Sequence, residues 1–112
     1  MDIAEWRRKI DDIDRQLVEL VNQRAAAAKE IGRLKRNSDL PIYEPEREKK
    51  IFENVTGVNK GPLPNSELIR VFERLIDVMR KLQKDEIVGA QAEGTSIANE
   101  RGDTELEAEI ND

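Results

Sequence analysis

A chain of 112 residues, 38% charged and only 4% aromatic, has room for one domain and too little bulk for a thick core of its own. It contains no His and no Cys, which excludes an imidazole base, a thiolate nucleophile, disulfides and every metal site built on those ligands. The net charge of −5 hides two unlike parts: residues 1–84 carry 18 basic and 15 acidic side chains, whereas residues 85–112 carry nine acids and one Arg.

The N-terminal MDIAEWRRKI has no apolar run of signal-peptide length, and no window approaches the ~18 apolar residues that span a bilayer. The lack of Cys suits a reducing compartment, so the expectation is a soluble, cytoplasmic protein. From about Ile3 to Asn37, apolar residues recur at Ile3, Trp6, Ile10, Ile13, Leu17, Leu20, Val21, Ala28, Ile31 and Leu34. Steps of three and four mark the stripe of an amphipathic helix. Some 35 residues at ~1.5 Å each make a rod ~50 Å long, which outruns a compact domain with a radius of gyration near ~13 Å. The stripe therefore predicts a second subunit to cover it, in an all-α homodimer.

Asn37-Ser38-Asp39 breaks this pattern, and Pro41 prevents an immediate restart. Pro45 suits a first helical turn and opens a second, shorter helix from about Glu44 to Val58, with Ile51, Phe52, Val55 and Val58 on its apolar side. Gly57 and then Lys60-Gly61-Pro62 end it. A third helix is predicted from about Asn65 to Lys84, with Leu68, Val71, Phe72, Leu75, Ile76, Met79 and Leu82 inward and Asn65 or Ser66 as its cap. No strand signal and no internal repeat appears. Residues 85–112 lack apolar periodicity and read as a disordered acidic tail on a helical domain of residues 1–84.

Several long polar side chains occupy the apolar stripes. With ~100° per residue and Leu17 as zero, Arg24 falls at about −20° and Lys35 at about 0°. On the second helix, with Ile51 as zero, Glu44 falls at about +20°, Arg47 at about −40° and Glu48 at about +60°. On the third, with Phe72 as zero, Met79 falls at about −20° and Gln83 at about +20°. A single polar residue on a seam is adequately explained as a register device or a snorkelling stem. Six such polar side chains on three stripes, five of them charged, are not, because uncompensated burial costs several kcal/mol per ion. Arg47 has Glu44 or Glu48 as neighbours, yet Arg24 and Lys35 find no partner on their own stripe. A bound anion supplies one. The pattern implies a cationic pocket within a helical bundle, sized for a small, multiply negative molecule. Arg24 and Lys35 lie roughly 16 Å apart along the axis, so such a ligand is gripped from both ends. Arg7, on the stripe's shoulder at about +80°, is placed to reach a partner's pocket in a crossed dimer.

The series Arg7…Ile10-Asp11-Asp12-Ile13-Asp14…Leu17…Leu20…Arg24…Ile31-Gly32…Lys35, then Pro41-Ile42-Tyr43-Glu44-Pro45-Glu46-Arg47-Glu48, then Ile76-Asp77…Gln83, resembles the all-helical (type II) chorismate mutases over about residues 3–84. The resemblance implies an intertwined homodimer of three-helix protomers, in which each site draws one Arg from the other chain. It implies the rearrangement of chorismate to prephenate, within phenylalanine and tyrosine biosynthesis, and no cofactor or metal. By the same resemblance Arg24 clamps a carboxylate, and Arg7 is the clamp donated across the dimer. Lys35 sits near the ether oxygen and a carboxylate, Gln83 contacts the ether oxygen as well, Arg47 lines and orients the site, and Glu44 and Glu48 hold the ring hydroxyl. Glu44 stands where the family often has Asp. Met79 stands where some members have a Ser touching a carboxylate, so Met79 is left out of the catalytic set. A pericyclic reaction needs no nucleophile or proton relay, consistent with a chain lacking His and Cys. The rival expectations are an isochorismate pyruvate lyase of the same fold and a non-catalytic helical dimerisation module. Nucleic acid is not an expected partner, because the basic residues are interleaved with acids, and neither is a membrane.

Overall fold

Asp2 and Glu5 start the first helix by capping each other. The Asp2 carboxylate accepts from the Glu5 N–H at 2.8 Å, and the Glu5 carboxylate accepts from the Asp2 N–H at 3.0 Å. Such a reciprocal cap satisfies two orphaned donors and contributes ~1 kcal/mol. In the computed structural model, which describes residues 1–91, α1 runs Ile3–Lys35, α2 Pro45–Val58 and α3 Asn65–Gln91. Among the described residues there is no strand, and no helix is long and apolar enough to cross a membrane. The all-helical expectation is met.

The helix boundaries show where local chemistry overrode periodicity. α1 stops at Lys35 rather than Asn37 because Ser38 turns the chain. The Ser38 N–H donates to the Lys35 carbonyl at 3.2 Å and its hydroxyl donates to the same oxygen at 3.3 Å. Pro45 sits in the first turn of α2, where a missing N–H costs nothing. Glu44 holds the cap position but makes no capping bond, because its carboxylate is directed at Lys35 instead. Gly57 stays helical, and the turn after α2 falls at Gly61, whose φ of +72° strains any side chain with a Cβ. Asn59 pins that turn by donating from Nδ2 to the Leu63 carbonyl at 2.9 Å and to Asn65 Oδ1 at 2.7 Å. Asn65 therefore does not act as the expected cap; the carbonyl of Pro64 takes the Leu68 N–H at 3.0 Å.

The third helix runs to Gln91, past the expected boundary at Lys84. Glu86 pairs with Arg36 and lies 3.9 Å from Arg33, and half-buried Ile87 continues the apolar stripe. Contacts with α1 thus extend the helix through a segment that its own acidity marked as tail. The rest of the expected tail, residues 92–112, lies outside the described residues.

Packing is confined to one end of α1. Ala28, Gly32 and Lys35, spaced four and three apart, are buried against α3, where Ile76 and Met79 are the buried partners. Gly32 permits the approach: a Cβ there would lie 2.9 Å from Gln83 Cα and 3.1 Å from its carbonyl oxygen. α2 packs on α3 beside this crossing. The rest of α1 projects free, with Trp6 at 51%, Leu17 at 51% and Leu20 at 60% exposure. One face of a 33-residue helix is thus left without a cover in the single chain.

Candidate active site

Three helices and the α1–α2 connector converge on a cavity of about 310 Å³, within the range that holds small metabolites. Arg24, Ala28 and Ile31 line it from α1, Arg47 and Glu48 from α2, and Met79, Arg80 and Gln83 from α3, while Ile42 and Glu44 close it from the connector. Five of the seven predicted site residues, Arg24, Glu44, Arg47, Glu48 and Gln83, share this one wall. Met79 is buried at 3% exposure and lines the cavity.

Lys35 sits behind the lining, at 6% exposure. Its ammonium donates to Glu44 Oε2 at 3.2 Å and to Gln83 Oε1 at 3.1 Å. No partner lies on the stripe of α1 itself, but the turn at Ser38 returns Glu44 to Lys35, so a bound anion is not its only counter-charge. An ammonium has three donors, so one remains after these two bonds. The bond to Oε1 also orients the Gln83 amide, leaving its Nε2 donors uncommitted.

Arg24 and Arg47 differ from Lys35. Among the described residues no carboxylate lies within salt-bridge distance of either, because Glu44 is taken by Lys35 and Glu48 by Arg80. Neither neighbouring acid, Glu44 or Glu48, therefore satisfies Arg47. Burial first, and the neighbouring Arg47 guanidinium second, hold the Arg24 pKa below its ordinary value. A guanidinium remains protonated nonetheless. Two like charges facing one cavity, one of them partly desolvated, form a receptor for an anion.

Arg7 does not reach this cavity. It lies on the exposed first half of α1, away from the other six residues. Arg80 was not anticipated. It lies at about +80° from Phe72, on the shoulder of α3, where a wheel assigns solvent. The usable signal was Glu48 on the matching shoulder of α2, which Arg80 meets at 2.9 Å.

A model of the family described as "Chorismate mutase type II" matches residues 6–84. The chain is 38% identical over 87 residues to the bifunctional chorismate mutase/prephenate dehydratase of Aquifex aeolicus, covering 74% of this chain and 24% of that protein. It is 35% identical over 83 residues to the chorismate mutase of Methanocaldococcus jannaschii, covering 73% and 84% of the two chains. Its fold superposes on the chorismate mutase of Helicobacter pylori, solved in complex with prephenate, with a TM-score of 0.69 and 27% identity over 76% of this chain and 92% of that one. The chain thus spans about a quarter of the bifunctional relative and most of the two single-function ones. Helix order, the matched residues and the architecture agree: the chain belongs to the type II chorismate mutase family.

Proposed function

We propose that this chain converts chorismate to prephenate in the cavity between α1, α2 and α3. The observation that carries the proposal is the unpaired Arg24–Arg47 couple facing the wall that Lys35 and Gln83 support. Chorismate is a flexible dianion. Arg24 grips one of its carboxylates and Arg47 orients it in the cavity, which selects the folded conformer in which the bond-forming carbons meet, an entropic gain. As the ether bond breaks, negative charge grows on its oxygen. The third Lys35 donor and the Gln83 amide are preorganised to receive it. Glu44 and Glu48 hold the ring hydroxyl, with Glu48 accepting its single proton, and fix which face of the ring enters. No proton is transferred and no covalent intermediate forms.

The finer reading includes an intertwined homodimer acting in the cytoplasm. Covering Trp6, Ile10, Leu17 and Leu20 with a second α1 removes apolar surface from water at ~25 cal/mol per Å². The same crossing carries Arg7 to the partner protomer's cavity, where it supplies the remaining carboxylate clamp. Sharing has a distinctive signature. Arg7→Ala and Arg24→Ala proteins are each expected to be nearly inactive, but unfolding and refolding them together should restore up to about a quarter of wild-type activity, through heterodimers with one intact site. If Arg7 serves its own chain, mixing restores nothing.

Gln83→Glu is expected to make activity rise as pH falls. Only the protonated acid donates to the ether oxygen, and Lys35, 3.1 Å from the present amide oxygen, favours the ionised form. The expected profile is therefore acid-shifted, measured as kcat against pH. A flat profile removes Gln83 from the ether oxygen.

Feeding purified protein with chorismate and isochorismate separately, and following products by proton NMR, tests the proposal. Prephenate from chorismate is the expected outcome. Salicylate and pyruvate from isochorismate, with chorismate untouched, would make the chain a lyase of the same fold.

A further inference from the structure

Arg80 is the one charged group of the cavity wall that the proposed chemistry has not used. Its Nη2 forms an ion pair with Glu48 Oε2 at 2.9 Å and lies 3.3 Å from Asp77 Oδ1. Its guanidinium carbon stands 5.0 Å from the centre of the Tyr43 ring, near enough for cation–π attraction. Its Nε is buried and has no hydrogen-bond partner among the described residues. Leaving a buried donor unpaired is costly, so the side chain is not placed for its own satisfaction. Three elements fix it: α2 through Glu48, α3 through its own backbone and Asp77, and the connector through Tyr43.

Resting on the mutase reading, we propose that Arg80 is the positioning residue for Glu48. It engages Oε2 and leaves Oε1 to accept from the substrate's ring hydroxyl, while Tyr43 sets the guanidinium in place. The charge logic points the same way. A free carboxylate facing a dianion repels it, and Arg80 cancels that charge while preserving the acceptor. Because no bond to the hydroxyl is made or broken in the rearrangement, Arg80 acts on substrate binding more than on the chemical step. Arg80 takes no part in the rearrangement.

A double-mutant cycle tests this. Arg80→Ala is expected to raise KM about tenfold, the scale of one charge-assisted hydrogen bond, and to lower kcat by no more than roughly threefold. In the Glu48→Gln background the same substitution should change KM by less than about twofold, because the carboxylate it serves is gone. Equal effects in both backgrounds, or a loss confined to kcat, would overturn the proposal. Should Arg80→Ala fail to fold, as judged by circular dichroism, Arg80→Lys carries the same cycle. It keeps the charge but loses the planar fork, so a KM increase that vanishes with Glu48→Gln is expected, and a background-independent increase refutes it. Wild-type protein that leaves chorismate untouched would instead sink the mutase reading, so the two failures are distinguishable.

Discussion

Lys35→Ala is expected to lower kcat by at least ~10²-fold, the scale of removing one preorganised donor from a developing oxyanion. The geometry makes the loss specific to the chemical step. At 6% exposure the ammonium is held by Glu44 at 3.2 Å and Gln83 at 3.1 Å, so its remaining donor needs no reorganisation when the ether oxygen gains charge. The loss is compounded at Gln83, whose amide loses the partner that orients it. The fold should survive, because the Glu44 side chain is 38% exposed and regains water as a partner. Lys35→Arg is not expected to rescue, since a planar guanidinium does not fit where a compact ammonium makes two bonds. Initial rates of chorismate loss, with thermal melts as a folding control, check this. Turnover within a few-fold of wild type would remove Lys35 from the ether oxygen.

Gly32→Ala is expected to damage both stability and catalysis, although Gly32 touches no substrate. An added Cβ would meet Gln83 Cα at 2.9 Å, Gln83 O at 3.1 Å and Glu86 Cβ at 3.3 Å. The first two are backbone atoms of α3, so relief requires the helices to separate. Overpacking of this kind costs ~1–3 kcal/mol. It is offset by less than ~1 kcal/mol from the better helix propensity of Ala. Separation also draws Lys35, three residues further along α1, away from Gln83. A melting temperature lowered by several degrees and a kcat reduced ~10-fold or more are the expected results, read by calorimetry and steady-state kinetics. An unchanged melting temperature would mean that the two helices have slack at this crossing.

How legible the site was follows from where each side chain sits on its helix. Arg24, Lys35, Glu44, Arg47 and Gln83 occupy the middle of apolar stripes, so periodicity alone marked them as misplaced charge or amide, and all five gather at one end of the bundle. Which charge meets which was not legible. Lys35 finds Glu44 only because Ser38 reverses the chain, and the strength of that local turn is invisible to a helical wheel. Arg80 escaped because shoulder positions are ambiguous: Arg7 has the same angle on α1 and lies exposed, whereas Arg80 meets Glu48. The end of α3 was misjudged for a related reason. Composition marked Asp85-Glu86 as the start of a tail, but Arg33 on α1 and Arg36 at its C-cap hold Glu86 and carry the helix to Gln91. Long-range ion pairs decided each of these cases.

The most direct measurement is a calorimetric titration with a rigid bicyclic ether dicarboxylate that copies the rearranging geometry. A cavity complementary to that geometry binds such a molecule much more tightly than it binds the ground state. Saturable binding at one molecule per chain is predicted, weakened at least ~10-fold by Arg24→Ala, the scale of one charge-assisted clamp. Absence of saturable binding, or equal affinity in the Arg24→Ala protein, would contradict a cationic receptor between these helices.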